Sequence, residues 1–85
     1  MTSFSYVLKD PAGIHARPAT QMIQQCHGYK CNITINCGTK KADAKRIFSV
    51  MSLGAKQGQE VTFTFDGEDE DVACQQIQQF VSEHF

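Results

Sequence analysis

The sequence predicts an α+β fold, an open-faced two-layer sandwich of order βαββαβα with a four-stranded antiparallel sheet and three helices on one of its faces. Three observations predict it. Four short segments alternate apolar and polar residues with a period of two, the pattern of strands with one buried face. Three segments between and after them repeat apolar residues at helical spacing, so each is a helix with one apolar stripe. The chain is 85 residues long, which leaves room for one core and hence a single domain over 1–85. One-sided strands and one-sided helices satisfy each other as two layers, and the far face of the sheet is left to water.

Residues 3–8 form the first strand, with Phe4, Tyr6 and Leu8 on one side and Ser3, Ser5 and Val7 on the other. Asp10-Pro11-Ala12-Gly13 breaks it. Ala19, Met22, Ile23 and Cys26 recur at i, i+3, i+4 and i+7, so a helix runs over about 16–27, with Pro18 in its first turn and Gly28 past its end. Cys31, Ile33, Ile35 and Cys37 alternate with Asn32, Thr34 and Asn36 in the second strand. Gly38-Thr39 turns the chain into a short third strand ending near Ala44. Ile47, Val50 and Met51 mark a short helix of about 47–53, closed by Gly54. Phe48 lies off its stripe and is either a partly buried core aromatic or an exposed anchor for a partner. Val61, Phe63 and Phe65 alternate with Thr62 and Thr64 in the fourth strand, and Gly67 follows as a turn. Asp69, Glu70 and Asp71 load the first turn of the last helix with charge that its dipole favours. The stripe of that helix is Val72, Ala73, Ile77, Phe80 and Val81, and Gln75, Gln76, Gln78 and Gln79 make its solvated side.

Hydrophobic residues make up 41% of the chain and charged residues 20%, as in globular domains. No apolar run approaches the roughly 20 residues a membrane span needs, and the first residues lack the basic and apolar regions of a signal peptide, so the cytoplasm is the expected compartment. The net charge of −1 conceals an asymmetry. All eight Lys and Arg lie within residues 1–58 against two acids, Asp10 and Asp43, a balance of +6; residues 59–85 carry seven acids and no base, a balance of −7. A basic side of this kind can steer acidic partners; the alternative is a solvated mixed surface. Nucleic-acid binding is excluded by the overall charge and by a polar sheet face of Asn32, Thr34, Thr62 and Thr64 without stacking aromatics.

Cys26, Cys31, Cys37 and Cys74 contain no C-x-x-C pair and are expected to be buried free thiols. Cys26-His27-x3-Cys31 is not a metal site on this reading, because Cys26 belongs to the apolar stripe and His27 beside it points elsewhere. Neither a metal nor a cofactor is expected.

The segment Gly13-Ile14-His15-Ala16-Arg17-Pro18-Ala19 places an imidazole at the start of the first helix, where backbone N–H groups lack intrahelical partners and the positive end of the dipole emerges. Arg17 adds a guanidinium matched to phosphate oxygens. Pro18 costs nothing there, since its missing N–H would have been orphaned anyway. Neutral histidine is a nucleophile, so the arrangement suits a phosphoryl group held on nitrogen and passed on, whereas no residue here would activate water. The bland alternative is a histidine that merely caps a helix beside a solvated arginine.

Gly13-Ile14-His15-Ala16-Arg17-Pro18-Ala19-Thr20 closely resembles the active-site signature of the HPr family, the histidine-containing phosphocarriers of the bacterial phosphoenolpyruvate-dependent sugar phosphotransferase system. Ile47 to Gly54, Gly58 and the Gly67-Glu68-Asp69-Glu70 turn resemble further landmarks of that family, so the likeness spans essentially the whole chain. It implies a carrier rather than an enzyme, phosphorylated on Nδ1 of His15 by enzyme I and donating to IIA domains. Catalysis would rest on His15 and Arg17 and phosphate binding on Ala16, Arg17 and Pro18. The partner surface would comprise Ala16, Thr20, Gln24, Ile47, Phe48 and Met51, on a monomer that neither binds nucleic acid nor enters the membrane. An HPr-like regulatory module working outside sugar uptake is the alternative.

The chain departs from that family's pattern in several places. Arg46 stands where many members have a serine phosphorylated by an ATP-dependent kinase, so no regulatory serine is expected; Lys45 and Arg46 would instead extend the positive field toward acidic partners. Ala12 replaces a small polar residue near the phosphate. Gln24, His27 and Ser49 stand where some members carry lysines.

Overall fold

A computed structural model describes all 85 residues. The elements are β1 (Thr2–Val7), α1 (Ala16–His27), β2 (Asn32–Cys37), β3 (Lys40–Asp43), α2 (Ile47–Met51), β4 (Glu60–Asp66) and α3 (Glu70–His84). The order expected from the sequence is the order observed. The sheet runs β1-β4-β2-β3 with every neighbouring pair antiparallel, so β4, the last strand in the chain, is inserted between β1 and β2.

Register follows from the single buried face. Phe4 pairs with Phe63, Phe63 with Ile35 and Ile35 with Ala42, one apolar row across all four strands. A one-residue slip would turn that row to solvent. The rings of Phe4 and Phe63 stack with centroids 4.9 Å apart, and Phe65 lies 6.0 Å from Phe4. Helix α3 packs on β1 and β4, α1 on α3, and α2 between α1 and β3. The core between these layers holds no buried polar or charged residue. On the other face Ser5 Oγ and Thr62 Oγ1 share a hydrogen bond at 2.9 Å, and Thr34 pairs with Thr64.

Besides one-residue shifts at element ends, such as β1 at Thr2–Val7 rather than 3–8, three details differ from the sequence reading. Val72 is exposed rather than part of the stripe of α3; it sits five residues from Ile77, which at ~100° per residue turns it about 140° away from the core. Helix α2 stops at Met51, two residues early, because the chain tightens beyond it: Leu53 N–H donates to Val50 O at 3.2 Å and Gly54 N–H to Met51 O at 3.3 Å. All four cysteines are free, but Cys74 on the edge of α3 is only half-buried, unlike Cys26, Cys31 and Cys37.

The acids at the start of α3 also do more than serve the helix dipole. Asp69 is the residue ahead of the helix, yet its side chain makes no bond to its own first turn. It reaches instead to the loop between α1 and β2, accepting Lys30 N–H at 2.8 Å and Cys31 N–H at 2.9 Å. These backbone donors, Lys30 first, hold the Asp69 carboxyl below the usual carboxylate range. Gly67 permits the approach: a Cβ there would lie 2.6 Å from Cys31 Cα. Glu70 accepts Gly67 N–H at 3.1 Å and closes the same corner.

Candidate functional site

The loop before α1 is built around Asp10. Its Oδ1 accepts Ala12 N–H and its carbonyl accepts Gly13 N–H, both at 2.8 Å, making the turn that an aspartate ahead of Pro-Ala-Gly favours. Its own N–H donates to Phe85 O at 2.9 Å, and Lys9 N–H donates to the same carbonyl at 2.7 Å. Gly13 has a φ of +64°, and a Cβ there would stand 2.3 Å from Ala55 O. Close backbone approach therefore requires glycine, and it lets Ile14 N–H reach Ala55 O at 3.2 Å. The loop is clamped between the end of α3 and residues 54–56.

His15 follows in an extended conformation, φ −120° and ψ 163°, as the residue ahead of α1, and its side chain makes no capping bond. His15 is therefore the N-cap of α1 by position, but its imidazole does not cap the helix. Its imidazole, 39% exposed, leans back toward the loop, with Nε2 3.4 Å from Asp10 Oδ2. Nε2 is buried and has no hydrogen-bond partner. The buried ring of Phe85 meets the imidazole edge-on, centroids 6.4 Å apart at 80°.

The first backbone hydrogen bond at this end of α1 runs from Ala19 N–H to His15 O at 3.1 Å. The N–H groups of Ala16 and Arg17 precede it in the first turn, where backbone donors have no intrahelical acceptor. Pro18 is buried and has no N–H to offer. Arg17 is exposed and takes part in none of the ion pairs. The Thr20 hydroxyl donates to Ala16 O at 2.7 Å, and Gln24 is exposed one turn further along.

Helix α2 packs against α1 and carries apolar side chains that are not fully buried. Ile47 is half-buried, Met51 is 36% exposed and Phe48 is 88% exposed. The reading of Phe48 as a partly buried core aromatic is thus overturned.

Arg46 occupies the position ahead of α2, extended at φ −126°, with no side-chain cap; its Nε lies 3.7 Å from Asp43 Oδ2. Lys45 is half-buried and its ammonium donates to Tyr29 O at 2.7 Å, so of the two cations only Arg46 is exposed to a partner's field. His27, at the end of α1, turns away from Cys26 and donates from Nε2 to Lys45 O at 2.7 Å. No three His, Cys, Asp or Glu side chains converge as metal ligands.

Two neighbours of His15 escaped the sequence reading. Asp10 is visible there as a turn-forming residue, but not as a carboxylate behind an imidazole. Phe85 stands 70 positions from His15, and nothing local signals their meeting.

The family signature described as "PTS HPr component phosphorylation site" matches residues 2–83. The phosphocarrier protein HPr of Mycoplasma capricolum subsp. capricolum is 39% identical over 79 residues, covering 93% of this chain and 89% of its own. A solved mycoplasma histidine-containing phosphocarrier protein superposes with a TM-score of 0.94 at 36% identity, over 96% of this chain and 93% of that one. HPr-C-His from Thermoanaerobacter tengcongensis superposes with a TM-score of 0.91 at 31% identity, over 98% and 93% of the two chains. No helix is long and apolar enough to cross a membrane. With an open-faced sheet, an imidazole at a helix start and matches over nearly its full length, the chain belongs to the HPr family of phosphocarriers of the phosphotransferase system.

Proposed function

We propose that this phosphocarrier takes a phosphoenolpyruvate-derived phosphoryl group from enzyme I onto Nδ1 of His15 and passes it to IIA domains, as a cytoplasmic monomer that is used stoichiometrically and catalyses no turnover of its own. The observation that carries the reading is the disposition of the imidazole. Its Nε2 is buried, while the ring as a whole is partly open to solvent beside the start of α1. Nδ1 is the nitrogen left for an incoming phosphorus.

The transfer is in-line, from a donor phosphohistidine to His15 and later from His15 to an acceptor histidine. The N–H groups of Ala16 and Arg17 and the guanidinium of Arg17 stabilise the equatorial oxygens, and the partner supplies the rest of the site. Pro18 fixes the helix start that aims those N–H groups. Partners dock over Ala16, Thr20, Gln24, Ile47, Phe48 and Met51, with Phe48 as the central anchor. Arginine at position 46 has no hydroxyl, so this chain takes no regulatory phosphate there.

Incubation with phosphoenolpyruvate and enzyme I, followed by intact mass, tests the proposal. One phosphoryl adduct, acid-labile and alkali-stable, is expected on the wild type and none on His15→Ala. Labelling that persists in that variant overturns the assignment. Arg17→Ala should fold normally and slow transfer, through loss of a charge-assisted contact of about 1.5–3 kcal/mol.

A further inference from the structure

We propose that Asp10 is a positioning residue for His15: its carboxylate selects the imidazole tautomer that carries its proton on Nε2, and so keeps the lone pair on Nδ1 where phosphorus arrives. The inference rests on the phosphocarrier reading above and adds to it the residue that sets the state of the nucleophile.

Nε2 of His15 is buried and lacks a hydrogen-bond partner, and a carboxylate oxygen, Asp10 Oδ2, stands 3.4 Å from it. A buried ring nitrogen in that position is stable as a donor facing the carboxylate and unstable as a lone pair facing it. Asp10 is itself held on three sides. Its Oδ1 accepts Ala12 N–H at 2.8 Å, its carbonyl accepts Gly13 N–H at 2.8 Å, and its N–H reaches Phe85 O at 2.9 Å. Phe85 in turn bounds the imidazole edge-on. Carboxylate and ring are therefore positioned by one small network, with Oδ1 committed to the turn and Oδ2 left for the imidazole.

In the transfer the Nδ1 lone pair forms the new N–P bond, the donor's N–P bond breaks, and its electron pair stays on the donor nitrogen. Nε2 keeps its proton throughout, so the phosphorylated ring carries positive charge next to the Asp10 carboxylate. The contact at 3.4 Å tightens as that charge develops, as hydrogen bonds to reacting groups commonly do.

Asp10→Asn is the discriminating variant. Its Oδ1 still accepts Ala12 N–H, and its amide then turns N–H donors toward Nε2, which favours the opposite tautomer, with the proton on Nδ1. Nitrogen-15 spectra of His15, taken where the imidazole is neutral, read the two states directly. Wild type should show a protonated Nε2 and a pyridine-like Nδ1, and Asp10→Asn a shift toward protonated Nδ1. Uptake of phosphate from enzyme I should fall on the order of tenfold or more, as expected when a nucleophilic relay holds its histidine in the wrong tautomer. A wild-type spectrum with the proton on Nδ1, or an Asp10→Asn spectrum unchanged from wild type, overturns the proposal. The wild-type spectrum needs no variant, so misfolding of Asp10→Asn does not shield the idea. Failure of the wild type to take up phosphate on His15 would instead sink the phosphocarrier reading, and the tautomer assignment is read independently of it.

Discussion

Asp69 and Cys31, 38 positions apart, are joined by a hydrogen bond from the Cys31 backbone to the Asp69 carboxylate at 2.9 Å, and Lys30 N–H donates to the other oxygen at 2.8 Å. One side chain thus ties the loop leaving α1 to the start of α3.

That tie gives stability an acid limb. Its two backbone donors lower the Asp69 carboxyl below its ordinary value of 3.8. A group depressed in the folded state contributes stability that is complete above its unfolded value and disappears as pH falls through the folded value. Urea denaturation across this range should show stability falling below about pH 4. Asp69→Asn should be less stable at neutral pH and show a flatter acid limb. An unchanged limb would mean that other carboxylates, Glu70 foremost, produce it.

Phe48 projects from α2, whereas Phe63 is sealed in the central strand. Phe48→Ala should change stability by no more than about 0.5 kcal/mol, the range for surface substitutions. It should weaken association with enzyme I or a IIA domain by about 2 kcal/mol or more, as loss of an interface anchor does. Phe63→Ala should show the converse pattern, a stability loss of about 3–5 kcal/mol. Titration calorimetry paired with denaturation separates the two effects.

Arg46→Ser should stabilise the domain by up to about 1 kcal/mol. Arginine makes no cap at the start of α2, and its contact to Asp43 at 3.7 Å is exposed. Such pairs contribute little, while serine caps well. Association with enzyme I should also become less dependent on salt, because Arg46 is the cation of this corner left open to solvent. An ATP-dependent HPr kinase should leave the wild type unmodified. Kinase-dependent phosphate mapped to Ser49 or Ser52 by peptide mass would contradict that.

Thiol reactivity should divide by depth. Burial pushes the Cys26 thiol up to about 12, and burial followed by a hydrogen bond to Asp69 pushes Cys31 up to about 11. Both should resist a disulfide reagent near pH 8 in the native protein, since the thiolate is the reactive form. Cys74, half-buried on α3, should be the first to react. Cys74→Ser should remove the fast phase, and denaturant should release the remaining thiols.

Periodicity by itself determined the elements of this protein and the face each one buries. Alternation at Ile33, Ile35, Phe63 and Phe65, and helical spacing at Ala19, Met22, Ile23 and Cys26, are local consequences of backbone geometry. The segment from Gly13 to Ala19 likewise displayed the imidazole and guanidinium at a helix start, because a helix end exposes its N–H groups wherever it occurs. The ends of elements were less legible. Whether α2 continues past Met51 is decided by the tightening turn to Gly54, and Val72 misled because it adjoins Ala73 in sequence yet points away from the core. Tertiary structure alone decided that β4 enters between β1 and β2, that Phe48 is exposed, and that Asp10 and Phe85 enclose His15. Each of these depends on segments far apart in the chain meeting in space, and hydrophobic pattern records which side of an element is buried, not which distant residue covers it.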